Sequence, residues 1–130
     1  MQGACPLQAT FFLAIAQEVF IQESPLFIKT YDFTRWLLER TNQFPKGQRF
    51  VMAKRIEDAI LNFYDLLLRA VKMEKSRKEI LWEASYELER VRHYLRLSKD
   101  MGLFSLKQYE YAAVGIVEIG KLLGGWLKKV

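Results

Sequence analysis

Apolar residues recur at helical spacing in four long blocks. Ile56, Ile60, Phe63, Leu67 and Val71 are four, three, four and four residues apart, which puts them on one helix face. Leu81, Ala84, Leu88, Val91 and Leu95 repeat at three, four, three and four, a continuous seam. Phe33, Trp36, Leu37 and Arg40 keep the same repeat, widened by Tyr31 and Leu38, and Tyr109, Ala112, Ala113, Ile116, Ile119, Leu123 and Leu127 make a fourth stripe. The blocks predict helices from Pro25 or Leu26 to Gln43, from Lys46 to Met73, from Arg77 to Lys99, and on to about Lys128 for the last.

The breaks between blocks have their own chemistry. Ser24-Pro25 pairs a capping residue with proline at the first helical position. Phe44-Pro45-Lys46-Gly47 is a compact turn that sends the next helix back antiparallel. Lys72 to Lys78 reads as a charged loop or a frayed helix end. Gly102, after Asp100-Met101, suits the left-handed position beyond a helix, and Ser105-Leu-Lys-Gln108 is a capping box opening the last helix. The expected fold is all-α, an antiparallel up-down four-helix bundle over residues 25–130. Residues 1–24 differ in composition and form an N-terminal extension. Phe12, Ile15, Ala16, Val19 and Phe20 allow a short amphipathic helix there, packed on a neighbour, swapped between subunits or partly disordered.

Composition agrees with one helical core. The chain has 130 residues, 51% of them hydrophobic, and no proline after Pro45. A single cysteine, Cys5, excludes an intramolecular disulfide and fits a reducing compartment. The apolar centre of the longest uncharged stretch, Phe11 to Ala16, falls far short of the roughly 20 residues that span a bilayer. No Lys or Arg precedes Lys29, so a secretory signal lacks its basic start, and a soluble cytoplasmic protein without a membrane partner is expected.

Charge is unevenly distributed. Residues 1–28 carry Glu18 and Glu23 and no base, whereas residues 29–130 carry all 20 bases against 13 acids. That surplus favours an anionic partner, nucleic acid before others, over a basic protein with no such partner.

Enzymatic constellations find little support. Cys5 and the single His93 have no context for a nucleophile–base pair. Glu89 and His93 lie four apart on one helix, but a di-metal bundle needs a second histidine, so a helical salt pair or hydrogen bond is expected instead. No catalytic residue, metal site or cofactor is predicted. Gly115-Ile-Val-Glu-Ile-Gly120-Lys121 fits the start of a phosphate-binding loop. Leu122 stands where Ser or Thr should hold magnesium, and no strand precedes the string, so the match is a coincidence within a helix. Gly120 and Gly124, one turn apart, suggest a close helix contact within the bundle or between subunits, with Trp126 filling the neighbouring space. Helix termination at Gly124-Gly125 is the alternative.

The basic residues carry the functional signal. Arg92, Arg96 and Lys99 fall within roughly 60° of one another on the third helix, beside its apolar seam. They either grip phosphates in a groove, interface or channel, or form a solvated edge paired with Glu89 and Asp100. Lys46, Arg49, Lys54 and Arg55 make a weaker cluster at the start of the second helix. Trp36, Phe63 and Tyr109 fall in the seams and are expected in the core.

Several strings together resemble one family. Leu26-Phe-Ile-Lys-Thr-Tyr-Asp32, Trp36-Leu-Leu, Thr41, Phe44-Pro-Lys46 and Arg49-Phe50 match its start. Arg92-His-Tyr-Leu-Arg96 and Glu118-Ile-Gly-Lys-Leu-Leu-Gly-Gly-Trp126 match its later half. The chain is similar, over about residues 25–130, to the accessory variability determinant (Avd) proteins of diversity-generating retroelements. These are related to the bundle proteins of ribosomal RNA intervening sequences. The resemblance implies a non-enzymatic homopentamer of four-helix bundles. It implies binding to the element's reverse transcriptase and to nucleic acid, template RNA above all, in support of mutagenic cDNA synthesis. Arg92 and Arg96 match the family's basic pair, and extension to Lys99, Lys46 and Arg49 rests on charge alone. The alternative within the superfamily is an intervening-sequence protein with no polymerase partner.

Overall fold

The computed structural model describes residues 24–130. Four long helices run up and down: α1 (Pro25–Thr41), α2 (Lys54–Lys72), α3 (Arg77–Asp100) and α4 (Leu106–Lys129). Each packs against its neighbours in chain order, and α4 closes the ring against α1, which is the expected antiparallel bundle. The extension, its expected helix and Cys5 lie outside the described residues, apart from Ser24.

The predicted stripes supply the core. Leu37, Ile56, Ile60, Phe63, Leu67, Leu81, Ala84, Val91, Leu95 and Ile119 are almost fully shielded from water. Apart from the small Ala84, each of these side chains contributes about 1.5–3 kcal/mol relative to exposure. At the end where α1 and α3 finish, an aromatic group closes the bundle. Trp36 stacks near Phe33 and Phe104, and Phe44 meets Phe104 edge-on at 5.2 Å. Here Thr41, fully buried, donates from its hydroxyl to Glu57 Oε2 at 2.7 Å and ties α1 to α2. At the other end Phe27 packs edge-on to both Tyr64 and Trp126.

Helix ends differ from expectation in three places. Ser24 has an extended backbone before Pro25, yet its side chain makes no capping bond. The entry is set by the proline and by Ile28 N donating to Ser24 O at 3.0 Å. The helix expected from Lys46 to Met73 is composite, with one α turn (Lys46–Gln48), a π turn (Arg49–Ala53) and then α2. Lys54 N reaches five residues back to Arg49 O, and this wider turn turns Phe50 and Val51 outward while Met52 and Ala53 stay buried. The charged stretch before α3 is a 3₁₀ turn (Glu74–Ser76). Arg77 folds back from its end, donating to Ala70 O at 2.7 Å and Val71 O at 3.2 Å, the free carbonyls at the end of α2.

The last reversal follows the sequence closely. Leu103 N donates to Ser98 O and Gly102 N to Lys99 O, with Gly102 at φ 78°, a Schellman ending. Ser105 and Gln108 then exchange the two bonds of a capping box. The phosphate-loop look-alike lies wholly inside α4, which runs through Gly120, Gly124 and Gly125 to Lys129.

Candidate nucleic-acid interface

Helix α3 buries Leu81, Ala84, Leu88, Val91 and Leu95, so residues beside that seam emerge along its two edges. On the edge toward α4 stand Arg92 and Arg96, both exposed, and Lys99, half-buried. Lys99 Nζ lies 4.8 Å from the centre of the Tyr109 ring of α4, a cation–π contact that fixes which way this edge faces. Of the two readings of this edge, the ion-paired one is seen at Arg92 and Lys99. Arg92 donates to Glu89 Oε2 at 2.7 Å, the same oxygen lies 3.6 Å from His93 Nε2, and Lys99 approaches Asp100 at 3.5 Å. The Glu89 hydrogen bond holds the Arg92 guanidinium protonated more firmly than usual. Arg96 forms no ion pair among the described residues, so its charge is the one left unmatched on this edge.

Lys46 and Arg49 do not join that strip. They stand on the turns leading into α2, and Arg49 Nε donates to Phe44 O at 3.2 Å, which braces the turn. Between them and α2, Phe50 projects almost fully into solvent, 84% exposed. Helical periodicity gives no sign of this, because the π turn rotates the face by a step that a regular helix lacks.

The structure brings together another basic group that spacing does not reveal. Arg55 of α2 donates to Tyr94 Oη at 3.4 Å, and Arg90 stands over the Tyr94 ring at 5.7 Å. Arg90 Nη1 meets both oxygens of Glu87 at 2.9 Å, and Glu87, nearly buried, also accepts from Asn62 of α2. The Arg90 guanidinium, and after it that of Arg55, stabilises the phenolate and draws Tyr94 below the ordinary tyrosine value. Arg90 and Tyr94 are a helical pair readable from the sequence. Their partner Arg55 is supplied by the α2–α3 register.

The glycines correct the packing expectation inside the chain. Among the described residues, a Cβ on Gly120 would meet only Leu88 Cδ2, at an ordinary 3.8 Å, and one on Gly124 would meet nothing within 4 Å. The close in-chain approach is at Gly115 instead, where Phe33 of α1 fills the space a side chain would take. Trp126 packs on Phe27 of α1, with ring centres 6.5 Å apart. Beside Gly115, a groove of about 540 Å³ between α1 and α4 is crossed by the Lys29–Glu118 ion pair and lined further by Asp32, Lys107 and Glu110. Its charges nearly cancel, and among the described residues it has no histidine or cysteine in its lining. Among the described residues no three metal-ligating side chains converge, and no helix is long and apolar enough to cross a membrane.

The geometry is that of a helical scaffold with cationic edges. No curated protein matches the sequence in direct comparison. A family model described as bAvd-like matches residues 26–130, all four helices except the first residue of α1. By that match the chain belongs to the bAvd-like family, accessory proteins of diversity-generating retroelements.

Proposed function

We propose that this protein binds the reverse transcriptase of its retroelement together with the template RNA, and so supports mutagenic cDNA synthesis and diversification of a target gene. The family match over nearly the whole bundle carries this reading. The α3–α4 edge supplies its physical means. Guanidiniums present planar, paired donors to phosphate, and neutralising phosphates releases counterions, so binding is strong at low salt and sequence-independent. Sequence-specific copying then belongs to the polymerase. Holding enzyme and template on one scaffold raises their effective concentration without any reactive group on the scaffold itself. The protein works in the cytoplasm as a homo-oligomer, a pentamer on the family resemblance. Gly120, Gly124 and the exposed outer face of α4 are available to a neighbouring copy.

The test is the double substitution Arg92→Ala with Arg96→Ala in the full chain. Helix content by circular dichroism stays unchanged, while co-purification with the element's reverse transcriptase and cDNA yield both fall sharply. Unchanged association together with unchanged cDNA overturns the proposal.

A further inference from the structure

The register joining α2 to α3 places a second cationic group on the flank of α3 opposite Arg92, Arg96 and Lys99. Arg55 pairs with Tyr94 and Asn62 with Glu87, two links of one antiparallel alignment. Arg90 is held by the nearly buried Glu87 carboxylate, so its guanidinium is positioned before any ligand arrives. Arg55 is exposed and forms no ion pair among the described residues. Two guanidiniums thus meet one tyrosine, Arg55 at its hydroxyl and Arg90 over its ring face, and among the described residues Glu87 is the carboxylate bonded into the cluster.

We propose that Arg55, Arg90 and Tyr94 form a cradle for a phosphate of a nucleic-acid backbone, a second contact for the same strand that meets Arg92 and Arg96. The inference rests on the proposed function, since it assigns the far anchor of that interface. Arg55 and Arg90 supply charge and in-plane donors, and Tyr94 adds a hydroxyl donor beside Arg55. A helix with its side chains is about 10 Å across, so a strand crossing α3 passes from one basic flank to the other. An acidic protein segment offers the same charge in carboxylates. The shared position of both basic groups along α3 favours the regularly spaced phosphates of a polynucleotide.

The test uses the full chain carrying tyrosine labelled with ¹³C at the ring carbon that bears the hydroxyl. The Tyr94 resonance is identified by its loss in Tyr94→Phe. A single-stranded oligonucleotide added at low salt is expected to move that resonance, whereas an acidic peptide of equal charge leaves it in place. Arg55→Gln is expected to weaken oligonucleotide binding by about threefold to tenfold, whatever the base sequence, and to lower the slope of log affinity against log salt by about one. Arg90 is left intact, because its removal strands the Glu87 carboxylate. A Tyr94 response to inorganic phosphate or acidic peptide, with none to the oligonucleotide, overturns the backbone assignment. Full affinity and slope in Arg55→Gln, while Arg92→Ala with Arg96→Ala abolishes binding, overturns the cradle and leaves the proposed function standing. If neither set of substitutions alters binding, both fall.

Discussion

Phe33 lies against Gly115 so closely that a methyl group on the glycine would stand 2.8 Å from the ring Cδ1 and 3.1 Å from Cε1. The contact joins α1 to α4 beside the aromatic group that closes one end of the bundle. Overpacking at such a site costs about 1–3 kcal/mol, against about 1 kcal/mol gained when alanine replaces glycine in a helix. Gly115→Ala is therefore expected to lower stability by about 1 kcal/mol. Gly124→Ala, with nothing within 4 Å among the described residues, is expected to raise it by up to about 1 kcal/mol. Chemical denaturation of the two variants checks the opposite signs. Sedimentation of Gly124→Ala adds a second readout: weaker self-association places this glycine at a contact between copies, and unchanged self-association removes it from one.

Removing the hydroxyl of Thr30 is expected to stabilise the fold. Its Oγ1 is buried and has no hydrogen-bond partner among the described residues. Leaving such a group unpaired costs about 1–3 kcal/mol, and valine keeps nearly the same shape. Thr30→Val should raise the denaturation midpoint, whereas Thr41→Val should lower it, because Thr41 has a partner in Glu57 at 2.7 Å. A lower midpoint for Thr30→Val would contradict the unpaired state.

The chain reversals depend on single side chains. Ser105→Ala removes one half of the capping box and should cost about 1 kcal/mol. Arg77→Ala releases the Ala70 and Val71 carbonyls at the end of α2 and should cost about 1–2 kcal/mol. Amide hydrogen exchange localises the effects: protection drops first in the opening turn of α4 for one variant and in the closing turn of α2 for the other.

Alkaline pH acts on Tyr64. Burial first, and the neighbouring Tyr31 second, raise its pKa above the ordinary 10.0. Between that value and the higher folded one, the unfolded chain has lost the proton and the folded chain keeps it. Stability from this group is thus complete below about pH 10 and is lost as pH rises through the folded pKa. Tyr64→Phe should flatten that loss, seen as a smaller fall in melting temperature above about pH 10 than the unmodified chain shows. Equal falls in the two proteins would remove Tyr64 as a contributor.

Charge and geometry at the α3–α4 edge are separable. Arg92→Lys with Arg96→Lys keeps both charges and loses the paired donors, so the salt slope of nucleic-acid binding should stay while affinity declines. The alanine pair should lower the slope by about two. Filter binding across a salt series distinguishes the outcomes, and an unchanged slope in the alanine pair would falsify phosphate contact at these arginines.

Features that depend on neighbours along the chain were legible in the amino-acid order. Heptad-like spacing located the centre of the buried face on each helix, since a side chain's direction on a helix follows from its position alone, while Tyr31 at the margin of the α1 stripe is exposed. Gly102, Ser105 and Gln108 fixed the last reversal, where bonds run between residues three to five apart. Arg92, Arg96 and Lys99 share an edge for the same reason. Contacts between helices were decided by the tertiary structure, because a periodic pattern sets which face is buried and leaves the axial register open. Register brought Arg55 to Tyr94, set Phe33 on Gly115 and left Gly124 open within the chain. The π turn that exposes Phe50 belongs with these: its one-residue shift satisfies the packing of Met52 and Ala53 below it, a demand that arises only once the bundle is assembled.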